Sequence, residues 1–229
     1  MLVSFSATMH CTSFIPSLIN TFPILRRLPF CATMAKRNAP AAERNKEPIL
    51  RVLQRVLPSR GHLLEISSGT GQHVAHFAAN MKDWTFQPSE FDKEGSSSID
   101  AWTDTLSNVK RSIYLDVRAV PWPVSSTFDA VFNANMIHIS PWATTKGIMS
   151  GANRHLKDGG ILVMYGPYIV DGKKTAESNL RFDQSLKSRN SSWGVRELRE
   201  VEKVAEENGM KLKEIVEMPA NNLCVVYEK

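Results

Sequence analysis

Two glycines one residue apart close an apolar run that carries a carboxylate: His62-Leu63-Leu64-Glu65-Ile66-Ser67-Ser68-Gly69-Thr70-Gly71-Gln72-His73-Val74. Lacking a Cβ, Gly69 and Gly71 let the chain turn sharply and expose its N–H groups, while a helix starting just after them aims its positive end at the same place. Residues of these types at this spacing suit the cradle of a cofactor. A dinucleotide site wants a third glycine where Val74 stands, so that helix and strand can pack closely, and its absence argues against NAD. Glu90 follows the glycines at about the 20-residue offset at which an acid bonds ribose hydroxyls, with Asp92 as its rival. Further along, Asn133-Ala134-Asn135-Met136-Ile137-His138-Ile139-Ser140 supplies Asn135 and His138 as polar candidates. A histidine titrates near the working range of a general base, although Ile137 and Ile139 on either side of His138 equally suit a packed core residue.

These groups work together only if a scaffold brings them to one edge. Ile49, Leu50, Leu53, Val56 and Leu57 repeat at helical spacing from Ala41 until Pro58. Strands are then expected over Leu63–Ser67, Trp84–Glu90, Arg111–Leu115, Phe128–Asn133 and Ile161–Tyr165, with helices over Gln72–Met81 and Ser96–Leu106 between them. Ser140-Pro141-Trp142 reads as a helix start, with Ser140 as cap and Pro141 in first position, running to Leu156 and ended by Gly159-Gly160. This alternation predicts a parallel sheet, whose ligands bind beyond the carboxyl ends of its strands. Gly166 to Ser192 is polar and too long for a simple connection, so it reads either as a lid or as a solvated loop with one helical turn. A charged helix near Val195–Asn208 precedes two strands, Lys211–Glu217 and Leu223–Glu228. Such a terminal hairpin is foreign to dinucleotide folds that are parallel throughout.

The 229 residues suit one domain, and 42% apolar residues can fill its core. Cys11, Cys31 and Cys224 make neither a disulfide framework nor a metal ligand set, and Cys224 is expected as a buried thiol. Two of the five net positive charges, Arg26 and Arg27, lie in an acid-free segment, Met1–Thr33, which leaves +3 for the rest. That balance is too mild to suggest a nucleic-acid partner, and no apolar run is long enough to span a membrane. Met1–Thr33, rich in Ser and Thr and broken by Pro16, Pro23 and Pro29, reads as a transit peptide for a chloroplast or mitochondrion. The rival reading is an extension ahead of a start at Met34, with the protein in the cytoplasm. Neither contributes to the fold, so the domain is expected over residues 34–229.

Glu-x-x-x-Gly-x-Gly at Glu65–Gly71 resembles motif I of class I S-adenosylmethionine (SAM) methyltransferases, and the strand order with its closing hairpin resembles theirs. The resemblance implies an α/β, Rossmann-like fold: a mostly parallel seven-stranded sheet with an antiparallel C-terminal strand and helices on both faces. It places Gly69 and Gly71 under the methionine part of SAM, Glu65 as organiser of the loop or acceptor from the amino group, Glu90 at the ribose, and Asp116 and Val117 at the adenine. Asn133 and Asn135 then fall at the end of the strand that faces the methyl donor. Blocks at Arg37–Lys46, Ser97–Trp102, Asn135–Ile139, Trp193–Arg196 and Met218–Leu223 are similar to the methyltransferase-like twenty-six family over Arg37 to Lys229. Arg44, Asn45, Arg196 and Asn222 lie in these blocks outside the SAM motifs and are expected to line a substrate pocket, Arg196 pointing to a carboxylate or phosphate. The region departs from the Asn/Asp-Pro-Pro-Tyr/Phe pattern of enzymes that methylate nucleic-acid amino groups, so a small-molecule acceptor is expected. Methyl transfer is a direct displacement that needs alignment and at most one base, for which His138 is the candidate. The rival readings are a non-catalytic relative that keeps the fold for binding and, less favoured, an NAD-dependent oxidoreductase.

Overall fold

The computed structural model describes residues 36–119 and 121–229, without the Lys93 side chain. The expectations for Met1–Thr33 lie outside the described residues. In chain order the elements are α1 (Pro40–Val56), β1 (Gly61–Ile66), α2 (Gln72–Asn80), β2 (Trp84–Glu90), α3 (Lys93–Thr103), β3 (Ile113–Tyr114) and β4 (Phe128–Ala134). There follow α4 (Trp142–His155), β5 (Leu156–Gly166), β6 (Tyr168–Ile169), α5 (Glu177–Arg189), β7 (Arg196–Glu197), α6 (Leu198–Glu207), β8 (Lys211–Met218) and β9 (Asn222–Glu228). Seven strands form one sheet in the order β3-β2-β1-β4-β5-β9-β8, while β6 and β7 pair separately. β1 to β5 run parallel, and β9 inserts antiparallel between β5 and β8. The hairpin therefore does what its sequence position predicts.

Alternation along the strands divides the core between two faces. Leu63, Phe86, Phe132, Val163 and Val226 pack with Ile49 and Leu53 of α1, Phe77 of α2 and Ile99 of α3. Leu64, Val131, Leu162, Val225 and Tyr227 pack on the other face with Ile148 and Met149 of α4 and Val201 and Val204 of α6. Cys224 is fully buried among the first set. Among the described residues no helix is long and apolar enough to cross a membrane.

Several local readings change. The helix expected to run to Leu156 ends at His155, but Gly159-Gly160 does not end it: both glycines lie inside β5, where the register against β4 shifts between Phe128 and Ala130. Gly159 has φ +74°, and its N–H bonds the Lys229 carbonyl, so the pair bends a strand rather than ending a helix. Ser140 is not the cap of α4; its hydroxyl bonds the Thr144 hydroxyl and the Met136 carbonyl, tying the helix to the turn after β4. The polar segment after Gly166 is neither a bare loop nor one turn, because it carries the 13-residue helix α5 and the strand β6. Pro48 inside α1 cannot donate to the Arg44 carbonyl, which breaks the helix ladder one turn from Asn45.

Gly147 of α4 lies against the segment that leaves β3: a Cβ there would stand 2.4 Å from the Val117 carbonyl oxygen. Alanine favours a helix by roughly 0.5–1 kcal/mol over glycine, but overpacking costs about 1–3 kcal/mol and here meets backbone. Gly147→Ala is therefore expected to destabilise the protein and lower its melting temperature by about 2–4 °C per kcal/mol. An unchanged or raised melting temperature would show that α4 can move away.

Candidate functional site

At the end of β1 the chain enters the left-handed region twice in quick succession, at Ser67 (φ +54°) and Gly69 (φ +60°), and again at Gly71 (φ +92°). Only glycine takes that conformation without cost, so a serine at the first of the three positions is a strained residue. The turn is fixed to β2. The Ser68 N–H donates to the Ser89 carbonyl, the Ser89 hydroxyl donates to the Glu65 carbonyl, and the Gly69 N–H donates to Glu90 Oε2 at 2.8 Å. Glu90 also accepts from the Phe91 and Asp92 N–H groups, whereas Asp92 caps α3 through the Glu94 N–H.

Beyond these strand ends lies a cavity of about 610 Å³. Six of the sequence-predicted residues line it: Gly69, Glu90, Asp116, Val117, Asn45 and Asn135. Asp116 is gripped by Arg118 through two bonds, Nε to Oδ1 at 2.9 Å and Nη2 to Oδ2 at 2.7 Å, and this guanidinium holds its carboxyl below the usual range. Asn45 reaches in from α1, its Oδ1 2.7 Å from His73 Nε2.

The other predicted residues stand elsewhere. Gly71 does not face the cavity: a Cβ there would lie 2.7 Å from the Ile99 Cα, so this glycine lets α2 and α3 meet. Asn133 is buried and donates to the Ile66 carbonyl at 2.9 Å, bridging β4 to β1 below the site. Glu65 is likewise buried, with Oε2 unpartnered, and burial pushes its carboxyl up to about 7. Arg44 is on the exposed surface of α1. His138 does not reach the cavity. It is fully buried, edge-on to Tyr168 with ring centroids 5.2 Å apart, and neither ring nitrogen has a hydrogen-bond partner. Burial first, and the Arg196 cation second, push it down to about 3, so it is neutral. Arg196 itself donates to three carbonyls, those of Ile137, Ser140 and Ser192, so backbone engages Nε and Nη2, and the residue does not line the cavity where a carboxylate or phosphate was expected to meet it. Asn222 lines a smaller cavity with Lys173 and Lys174, and its side-chain amide donates to the Pro219 and Ala220 carbonyls. Of Arg44, Asn45, Arg196 and Asn222, only Asn45 lines the cavity.

Sequence reasoning missed Ser67, His73, Arg37 and Trp193, all of which line the cavity. Ser67 carried a legible signal, since it precedes Gly69 by the same two residues that separate Gly69 from Gly71. Arg37 and Trp193 carried none beyond their places in the similar blocks, because they arrive from segments remote in sequence. The Arg37 N–H donates to Ser98 Oγ and its carbonyl accepts from Trp102 Nε1, which straps residues 36–39 over the mouth of the site.

Two outcomes test this geometry. Gly71→Ala combines a disfavoured φ with a backbone clash and should cost more stability in chemical denaturation than Gly69→Ala, where nothing lies within 4 Å and only strain of about 1–2 kcal/mol applies. Equal costs would mean that Ile99 yields. The second concerns pH. The folded protein keeps the Glu65 proton to about pH 7, whereas the unfolded chain releases it near 4.5, so this group's stabilisation is full below 4.5 and disappears as pH rises toward 7. Buried His73 and His138, pushed down to about 4 and about 3, act oppositely and remove stability as pH falls below 6.5. The difference between Glu65→Gln and the parent isolates Glu65. It should grow in favour of the variant from pH 4.5 to 7, by on the order of 3 kcal/mol, and a pH-independent difference would contradict the burial.

Comparison with solved structures finds the same fold in several methyltransferases. The fold is similar to an O-methyltransferase family protein from Burkholderia thailandensis, with TM-score 0.68 and 15% identity over 82% of this chain and 57% of that one. It is similar also to CalO1, a methyltransferase of calicheamicin biosynthesis in its S-adenosylhomocysteine (SAH)-bound form, with TM-score 0.65 and 16% identity over 82% and 54%. Human N-acetylserotonin methyltransferase in complex with SAM matches with TM-score 0.66 and 10% identity over 82% and 52%. This chain spans little more than half the length of each of the three, and at such identities the likeness is one of fold. At the level of sequence, residues 36–229 match the model of one family, and the chain belongs to it: the family described as protein of unknown function, DUF938.

Proposed function

We propose that this protein binds SAM and transfers its methyl group to a small-molecule acceptor, as a member of the methyltransferase-like twenty-six proteins. The observation that carries the reading is one cavity, at the carboxyl edge of the sheet, that gathers Gly69, Glu90 and Asp116 from the ends of three successive strands. The residues fit the cofactor. At Gly69 a side chain would enter open space, so the backbone there is bare to a ligand. Glu90 offers acceptors suited to the two ribose hydroxyls, Asp116 an acceptor suited to the adenine amino group, and Val117 an apolar surface for the ring. Among solved structures of this fold, CalO1 holds SAH and the human enzyme SAM, which supports the same occupant here. Bound SAM supplies an electrophilic methyl group; the protein's part is to hold an acceptor in line with it and exclude water.

Calorimetry with SAH tests the reading on the full chain. Binding is expected, and Asp116→Asn and Glu90→Gln should each weaken it on the order of tenfold, the effect of losing about one charge-assisted hydrogen bond. Absence of heat and of any thermal shift with SAM and SAH at millimolar concentration, alongside clear binding of NAD, would refute it.

A further inference from the structure

We propose, on the basis of the methyl-transfer reading above, that the acceptor is an apolar thiol, methylated on sulfur. The charged residues that line the cavity all come from one side: Glu90 and Asp92 after β2, Asp116 and Arg118 after β3, and Arg37 ahead of α1. The lining contributed by α1, by β4 with its following turn, and by the segment after α5 carries no charge. Ala41, Ala42 and Asn45 come from the first, Asn135 and Met136 from the second, and Trp193 from the third. With the nucleoside half of SAM taken by Glu90 and Asp116, this uncharged half remains for the acceptor.

Its chemistry is selective. The one titratable group that lines it is His73, whose Nε2 is already bonded to Asn45 and whose ring is packed against Phe77 and Phe132. Burial pushes His73 down to about 4, a poor proton acceptor at neutral pH. His138 is sealed behind the wall: a Cβ on Gly166 would stand 2.5 Å from its Nε2. No competent base among the described residues therefore faces the acceptor. A phenol, ionising near pH 10, is deprotonated in only about one molecule in 300 at pH 7.5, and an amine near 10.4 is almost wholly cationic. A carboxylate arrives ionised but would be buried without a counter-charge. A thiol as acidic as that of cysteine ionises near 8.5 and an aryl thiol lower still, so about a tenth or more is thiolate without help, and its weakly polar body suits walls that combine alanine, methionine and tryptophan with the uncharged Asn45 and Asn135. In the step itself the thiolate sulfur bonds the methyl carbon while the bond from that carbon to the sulfonium sulfur breaks. The electron pair stays on the latter, giving a thioether and SAH, and the thiol's proton has already gone to water.

The test uses the full chain with SAM and four aromatic probes of similar size: thiophenol, phenol, benzylamine and benzoate. Methylated products are read by mass spectrometry against enzyme-free controls, and calorimetry measures binding of each probe to the SAH complex. A thioether should form at least about 30-fold faster than the phenol ether at pH 7.5, in keeping with the ionised fractions, and faster than the amine and ester products. Across substituted thiophenols the pH midpoint of the rate should move with each thiol's own pKa, and benzoate and benzylamine should bind the SAH complex more weakly than the thiol. Methylation of phenol or benzylamine in preference, a pH midpoint fixed across the series, or tighter binding of the charged probes would overturn the proposal. So would binding of SAH with no thioether formed, an outcome that leaves the methyl-transfer reading standing. Failure to bind SAH at all removes that reading and this inference with it.

Discussion

The turn that ends β1 is the constraint on which the rest of the site depends. Three left-handed residues within five positions send the chain from the sheet into α2, and each has a different task. Gly69 bares backbone to the cavity, Gly71 brings α2 against α3, and Ser67 starts the turn at a cost in strain. Because the Gly69 N–H is held by Glu90 and the Ser68 N–H by the Ser89 carbonyl, the turn and the end of β2 form one unit. The acid expected to meet the ribose is thus also the residue that shapes the loop. The buried Glu65 below it carries an orphan oxygen, and desolvation keeps its proton on; an ionised carboxylate there would add charge beneath Glu90, which itself helps raise Glu65.

Around this unit the remaining wall is built by stitching distant segments together. The strap at Arg37 is bonded to Ser98 and Trp102 of α3, so two of the similar blocks meet as one structure. The turn after β4 is held in the same way: the Gly194 N–H donates to the His138 carbonyl, and Arg196 binds the Ile137 and Ser140 carbonyls while lying over the Trp142 ring. Asn179 donates to the Asn221 carbonyl, which joins α5 to the block before β9. A planar fork with several donors can satisfy separate carbonyls at once, which is why an arginine rather than a lysine suits position 196.

The sheet was legible because its strands announce themselves by short apolar runs between turn residues, and Trp84–Glu90 matches the expected bounds to the residue. The glycine loop, Glu90 and Asp116 were legible for a related reason: in a parallel sheet every strand end points to the same edge, so proximity follows from topology. His138 and Asn222, expected at strand ends, do not line the cavity, because strand-end position fixes where a backbone arrives and not where its side chain goes. Residue 138 lies in a short 3₁₀ turn that follows left-handed Asn135 and rotates the imidazole inward onto Tyr168. Gly159-Gly160 misled because a glycine pair ends helices and bends strands through the same freedom of φ, and only the register against β4 distinguishes the two.

Left-handed backbone at residues other than glycine separates into two kinds. Ala220 and Asn221 lie in the tight turn before β9, where the hairpin topology demands reversal and the cavity is not involved. Ser67 and Asn135 follow adjacent strands, β1 and β4, whose last paired residues are Ile66 and Asn133 in register, and both side chains line the cavity. A glycine at either place would relieve roughly 1–2 kcal/mol of strain. Strain that the hairpin turn requires is accounted for by topology; at Ser67 and Asn135 glycine would serve the turn as well, so strain there belongs to the cavity wall and not to the turn. Both belong to the wall that cofactor and acceptor would share in the methyl-transfer reading proposed above.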